Sequence, residues 1–303
     1  MTRSECARYP GAVYTFGQMA HTVRALKALA HTRIAHMPLL SVNELTTYRW
    51  TFEQDVLRYA ETGFTAIGVW RQKLTDFGEE KGLELLAESG LAVSNLLWAG
   101  GFTGSDGRTY RDSIDDAVEA VELAGLLKCP CLVVYSGGRA GHTHNHARRL
   151  LSGALAELAP AAAQHGVTLA LEPMHPACSA EWTFLNTIDD ALALIGRVES
   201  PQVKLAFDTY HLGCEPGLID RLPALARDVA IVHLGDGRAE PNGEQNRCAL
   251  GQGRVPLAEI IAALHRGGYA GYYDIEIIGE EVEGADYAGL LQECKSACDR
   301  LFA

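Results

Sequence analysis

Residues 203–211 read VKLAFDTYH, an apolar strand pattern that ends in a carboxylate, with an imidazole three residues later. Similar stretches recur in the second half of the chain: residues 167–172 read VTLALE, 229–233 read VAIVH and 272–276 read YYDIE. Each stretch ends in a side chain that can bind a divalent metal. These side chains are Glu172, Asp208, His233 and Glu276. Because the carboxyl ends of parallel strands meet at one rim, we expect the four to converge.

The rest of the chain alternates between short apolar strands and helices. Thr51 and Gln54 form a predicted capping box for a helix over residues 52–62. Most strands are apolar on both faces, as buried parallel strands are. Eight strand–helix units in 303 residues predict an α/β fold, a closed (β/α)8 TIM barrel. The predicted strands cover residues 34–42, 66–70, 91–98, 131–135, 167–171, 203–207, 229–232 and 272–275.

An open doubly wound sheet is the alternative fold. It is expected to carry a glycine-rich phosphate loop after its first strand, and this sequence has none there. No stretch has the composition of a linker, so residues 31–303 are predicted to form a single barrel domain. Residues 1–30 are predicted to be an N-terminal extension, whose weak helical spacing favours a surface helix or frayed arm over a partner-binding helix.

Charge and composition indicate which classes of binding partner and which cellular location to expect. A formal charge of −12 repels phosphate backbones and anionic lipids, so we expect no nucleic acid and no membrane partner. No apolar run is long enough to cross a bilayer, and no signal peptide is evident. Eight cysteines without a disulfide or zinc spacing favour a reducing, cytoplasmic location. The oligomeric state stays open, with a homo-oligomer as one alternative.

A cation is expected at the common rim. Three carboxylates cannot all stay ionised close together without one, because like charges raise one another's pKa. Oxygen ligands with one imidazole favour Mn²⁺, Mg²⁺ or Co²⁺, and Zn²⁺ also fits. The alternative for each residue taken singly is an ordinary strand-end side chain that binds loop amides.

The motifs themselves resemble those of a known family. ALEPMHP around Glu172, FDTYHLG around Asp208, VHLGDG around His233 and YDIEIIG around Glu276 are similar to metal-site motifs of the xylose isomerase-like TIM-barrel superfamily. This sugar isomerase and epimerase group includes ketose 3-epimerases, hydroxypyruvate isomerase and inosose dehydratase. The resemblance runs from about strand one to the carboxyl terminus. It implies one metal bound by these four residues, a substrate contact from His211, and proton transfer by Glu172 and Glu276.

The expected function is therefore a metal-dependent sugar isomerase or epimerase. It would move a proton next to the carbonyl of a small ketose or related polyol, through a metal-bound enediolate. Glu172 and Glu276 would flank the reacting carbon, one removing the proton and the other returning it. Loss of a β-hydroxyl would instead give a dehydratase of a keto-inositol or keto-sugar. A non-catalytic sugar-binding barrel is the third alternative.

Further residues are candidates for substrate binding. The stretch Gln245-Asn246-Arg247 resembles the N-R motif of the epimerases, and Arg247 would grip a hydroxyl or carboxylate unless it is a solvated loop arginine. Trp70 and Trp98 end strands two and three, where they would stack on sugar or simply fill the barrel top.

One position departs from the epimerase pattern. Those enzymes usually carry a second glutamate six residues after the first ligand, and here that place is Cys178. His175 lies in the same loop and is a candidate substrate-binding residue that would move a proton instead. The alternative is an ordinary surface histidine. The departure weakens the expectation of epimerisation relative to the other proton-transfer reactions.

Overall fold

The computed structural model describes residues 38–243 and 245–303, and these form a closed barrel of eight parallel strands. The strands follow one another in chain order, and β8 pairs with β1 to close the barrel. The predicted (β/α)8 barrel is confirmed, and the open sheet is excluded. The strands are β1 Leu39–Asn43, β2 Ala66–Trp70, β3 Ala92–Gly100, β4 Cys131–Tyr135, β5 Thr168–Leu171, β6 Val203–Asp208, β7 Val229–Leu234 and β8 Tyr272–Ile275.

Helices occupy the connections between the strands. The helix after β1 starts as predicted, because Thr51 Oγ1 accepts from Gln54 N at 3.3 Å and Gln54 Oε1 accepts from Thr51 N at 3.0 Å. Among the described residues, no helix is long and apolar enough to span a bilayer. The helices are α1 Phe52–Thr62, α2 Arg71–Phe77, α3 Glu79–Ser89, α4 Tyr110–Leu126, α5 His144–His165, α6 Ile188–Val198, α7 Thr209–Leu212, α8 Leu218–Leu225, α9 Leu257–Arg266, α10 Glu280–Glu283 and α11 Tyr287–Leu301.

The described residues cover only part of the predictions made for the amino-terminal region. The extension predicted at residues 1–30 and the first residues of the strand predicted at 34–42 lie outside the described residues. Within the described part, β1 runs from Leu39 to Asn43, so it ends one residue later than predicted.

The barrel interior explains why the candidate ligands point inward. Side chains of a strand alternate between its two faces. Ala170, Ala206 and Ile231 pack together in one apolar cluster, with Cys131 and Val133 of β4. The next residue on the same face lies two positions later, which is where each of three candidate ligands stands. The chain therefore places them directly above this cluster, at the carboxyl end of the barrel.

Candidate metal centre

The four predicted ligands lie together at the carboxyl ends of β5 to β8. Glu172 follows β5, Asp208 ends β6, His233 lies near the end of β7, and Glu276 follows β8. Asp208 and His233 are paired in register across the neighbouring strands. All four side chains are buried. Carboxylates are rarely buried unless a cation or hydrogen-bond donors lie beside them.

Distances join the four residues into one cluster. Glu172, Asp208 and His233 each offer one ligand atom, and these atoms lie within 4.8 Å of one another. Glu276 reaches the cluster through the imidazole: His233 Nδ1 lies 3.1 Å from Glu276 Oε2 and 3.2 Å from Glu172 Oε1. The compact group is therefore a triad of two carboxylates and one histidine, with Glu276 beside it.

Asp208 and His233 each have a buried side-chain atom without a hydrogen bond, and these atoms fit a divalent cation. Asp208 Oδ1 accepts the backbone N–H groups of Tyr210 and His211, at 2.7 and 3.2 Å, and so caps α7. Its Oδ2 forms an ion pair but no hydrogen bond of good geometry. His233 Nε2 is buried without a partner among the described residues. A carboxylate oxygen and an imidazole nitrogen that are buried without a hydrogen bond are donor types that Mn²⁺, Co²⁺ or Zn²⁺ accept.

Burial and the neighbouring charges shift the pKa values of the side chains in the cluster. Burial, with the charges of Asp208 and Glu172, raises the pKa of Glu276 to about 7. Burial alone would lower the pKa of His233, but Glu276 and Glu172 raise it to about 10. For Asp208 burial is likewise outweighed, and Arg247 lowers its pKa. The centre thus holds more negative charge than it can keep without cations.

Arg247 is one of those cations. Only 1% of its side chain is exposed, so it is not the solvated loop arginine that was the alternative. Nη1 lies 2.9 Å from Asp208 Oδ2, and Nη2 lies 3.1 Å from Glu276 Oε1. The guanidinium also stacks over the Tyr210 ring, 4.8 Å from its centroid. Arg247 therefore reaches the cluster itself rather than its periphery.

His211 borders a cavity beside the cluster. Its ring is buried, and neither nitrogen has a hydrogen-bond partner among the described residues. Burial lowers the pKa of His211 to about 4, so the ring is neutral near pH 7. The cavity has a volume of about 220 Å³, and His175, Glu215 and Arg254 also line it. The structure thus brings His175 and His211 to one small cavity.

An aromatic wall stands at the ends of β2 to β4. Trp98 lies between Trp70, at 6.3 Å between ring centroids, and Trp182, at 5.2 Å. Tyr135 continues the wall, 5.7 Å from Trp182. Trp182 was missed from the sequence, because it lies in the loop after β5 and outside any motif. An aromatic residue in a loop that follows a ligand strand was the only available signal.

Cys178 joins two loops. Its buried thiol donates to the carbonyl of Asn242 at 2.8 Å, linking the loop after β5 to the loop after β7. The thiol therefore supports the loop that carries Arg247. His175, in the same loop as Cys178, is only half-buried, and its Nδ1 accepts from the backbone N–H of Ala177 at 3.3 Å.

A further buried carboxylate, that of Asp274, lies below the three of the cluster. Asp274 precedes Glu276 by two residues and shares its strand face. Its oxygens accept from Ser41 Oγ at 2.5 Å, Asn43 Nδ2 at 2.9 Å and Asn95 Nδ2 at 2.8 Å. These donors satisfy Asp274 within the barrel, and sequence analysis missed it. The available signal was a lone aspartate inside an apolar strand.

Two curated relatives are similar to this chain. An inosose isomerase from Bacillus velezensis is 26% identical over 257 residues, covering 80% of this chain and 89% of that protein. An L-ribulose 3-epimerase from Methylomonas sp. is 29% identical over 167 residues, covering 55% of this chain. That second match spans 53%, about half, of the epimerase's length.

Solved structures and a family profile agree on the fold. Protein SMc04130 from Sinorhizobium meliloti 1021 has a TM-score of 0.80 at 26% identity, covering 87% of this chain and 98% of that one. IOLI protein, solved with a bound zinc atom, has a TM-score of 0.75 at 22% identity, covering 87% and 97%. The profile described as xylose isomerase-like TIM barrel matches residues 56–295. The chain therefore belongs to the xylose isomerase-like TIM barrel family.

Proposed function

We propose that this protein is a divalent-metal-dependent sugar isomerase or epimerase that acts on a small ketose or related polyol. The observation that carries the proposal is the approach of Glu172 and Glu276, from β5 and β8, to the same His233 nitrogen at 3.2 and 3.1 Å. Relatives named for epimerisation and isomerisation of sugars support the same reaction class.

Glu172, Asp208 and His233 would hold the metal, with Glu276 as the fourth ligand. When bound, a divalent ion supplies Lewis-acid polarisation of a carbonyl and its neighbouring hydroxyl. Mn²⁺, Mg²⁺ and Co²⁺ suit this donor set. Zn²⁺ also suits it, and the zinc in the IOLI structure supports that choice.

The two glutamates would move the proton. Glu276, approaching from β8, would take and return the proton on one side of the reacting carbon. Glu172, approaching from β5, would act on the other side of the same carbon. Return to the opposite face of that carbon gives an epimer, and return to the neighbouring carbon gives an isomer.

Polar and aromatic groups would hold the substrate. The unpartnered ring of neutral His211 offers one N–H donor and one acceptor nitrogen to substrate hydroxyl groups, and the guanidinium of Arg247 offers N–H donors. His175 would contact the substrate from the same cavity, whose volume suits a small polyol. Trp70 and Trp98 would stack on the C–H face of a sugar.

We further propose that the protein works in the cytoplasm. The seven cysteines that the structure describes all carry free thiols, which supports a reducing compartment.

Proton exchange with solvent tests the proposed reaction. Metal-loaded protein is incubated with a panel of ketoses and inososes in D₂O, and the sugars are followed by NMR. We expect deuterium to enter at the carbon beside the carbonyl without loss of water, and EDTA to abolish the exchange. An unsaturated product would identify a dehydratase instead. Tight sugar binding without any C–H exchange would identify a binding protein and refute catalysis.

A further inference from the structure

In the form that can bind a metal, with His233 neutral and the three carboxylates ionised, the charges of the cluster call for a divalent ion. Glu172, Asp208 and Glu276 carry three negative charges when ionised, and all three are buried. Ionised Arg247 contributes one positive charge, and it forms ion pairs with Asp208 and Glu276. His233 must be neutral to bind a metal, and in that form the cluster keeps a net charge of −2 (three negative, one positive), which one divalent cation would neutralise. Buried carboxylates left without such compensation are strongly destabilising.

The position of the guanidinium is built into the fold. The backbone N–H of Arg247 donates to Ile278 O at 2.8 Å, and its Nη1 donates to Glu276 O at 3.0 Å. Gly235 makes room for the side chain, because a Cβ there would lie 2.8 Å from Nη1. The Tyr210 ring covers the guanidinium. These contacts fix the cation against Asp208 and Glu276 before any substrate arrives.

We propose that Arg247 is a resident counter-cation of the metal centre that weakens metal affinity by neutralising one of the three carboxylate charges. The guanidinium competes with the metal for the electron density of both carboxylates, because it lies 2.9 Å from Asp208 Oδ2 and 3.1 Å from Glu276 Oε1. It also matches the centre to a charge of +2 rather than +3. The inference rests on the proposed metal centre and adds a role for Arg247 that needs no substrate.

Metal titration separates this role from a structural one. Apoprotein is prepared with a chelator, and Mn²⁺ binding is measured by calorimetry. We expect Arg247→Met to bind Mn²⁺ about tenfold more tightly or better, since each tenfold requires only about 1.4 kcal/mol of relieved competition. Arg247→Lys, which keeps the charge, should stay near wild type. Arg238→Met is the matched control, because that exposed arginine of the same loop pairs with Glu281 instead.

Ion charge gives a second readout. If Arg247 had only a structural role, replacing it would change the affinities for divalent and trivalent ions by the same factor. The counter-charge role predicts that Arg247→Met gains more affinity for Tb³⁺ than for Mn²⁺, since Coulomb energy scales with charge. If the metal-free Met variant does not fold, Arg247→Gln, which keeps amide donors without charge, replaces it in both titrations.

The outcomes distinguish the two proposals. A wild-type protein that binds no divalent ion refutes the metal centre, and this inference with it. A wild-type protein that binds Mn²⁺ while the Met or Gln variant binds it equally or more weakly refutes the counter-cation alone. Tighter Mn²⁺ binding in the neutral variants, with a larger gain for Tb³⁺, supports it.

Discussion

Glu276 is a single carboxylate with two proposed tasks, metal ligation and proton transfer. Glu276→Gln keeps an oxygen for the metal but cannot carry the proton. We expect the variant to retain part of its metal while solvent exchange falls by about 10²–10⁴, the usual contribution of a positioned acid or base. NMR in D₂O measures the exchange, and the exposed Glu293→Gln is the control. Unchanged turnover would remove Glu276 from the mechanism.

The positions of Glu172, Asp208, His233 and Glu276 could be predicted from the sequence because strand geometry fixes them. Each follows an apolar strand, and the period of two places its side chain inside the barrel. Arg247 was only a candidate, because its ion pairs depend on how a long loop folds back over the rim. Trp182 was not found at all, since its place in the aromatic wall depends on a loop without regular periodicity.

The element that positions Arg247 is the loop between β7 and α9. Asp236 is fully buried and organises it: Oδ2 accepts from Gly251 N and Gly253 N, both at 2.9 Å. Oδ1 accepts from Gly237 N at 2.8 Å and Val255 N at 3.1 Å. The loop is therefore ordered around one carboxylate.

Asp236→Asn should disturb this loop, because in either orientation the new amide nitrogen faces two N–H donors. We expect a loss of about 2–4 kcal/mol in unfolding free energy, as for broken hydrogen bonds to a buried charge. The catalytic efficiency should fall more than about tenfold as Arg247 shifts. Urea unfolding and kcat/KM measure the two effects. The exposed Asp220→Asn should change neither, and a fully stable, active Asp236→Asn would contradict the loop's role.

Most elements could be predicted because their ends carry local signals, such as the Thr51 cap. Helix α2 was not predicted, because it starts directly after Trp70 without a capping side chain. The start of that helix is therefore set by tertiary packing rather than by a local sequence signal.

Closure of the eight-stranded barrel depends on polar contacts as well as on apolar packing. Eight strand–helix units predicted the closed barrel. They did not predict the cluster around Asp274, because Ser41 and Asn95 are separated from it by 233 and 179 residues. Gly68 of β2 makes room for this carboxylate, since a Cβ there would lie 2.5 Å from Asp274 Oδ2.

Gly68→Ala should therefore destabilise the barrel by about 1–3 kcal/mol, the usual cost of overpacking a core. Gly196→Ala is the matched control. A Cβ there meets nothing within 4 Å, and Gly196 lies inside α6, so alanine should stabilise by about 0.5–1 kcal/mol. Thermal and urea unfolding at equal metal content compare the two. Equal stability of both variants would argue against a tight Asp274 site.

The metal content of the purified protein decides whether this cluster binds a divalent ion. Asp208 belongs to the triad, so Asp208→Ala removes one proposed ligand, while the exposed Asp189→Ala leaves the triad intact. Elemental analysis after equilibrium dialysis should find one divalent ion per chain in the wild type and in Asp189→Ala. It should find almost none in Asp208→Ala. Full occupancy in Asp208→Ala, or no bound ion in the wild type, would contradict the assignment of this centre.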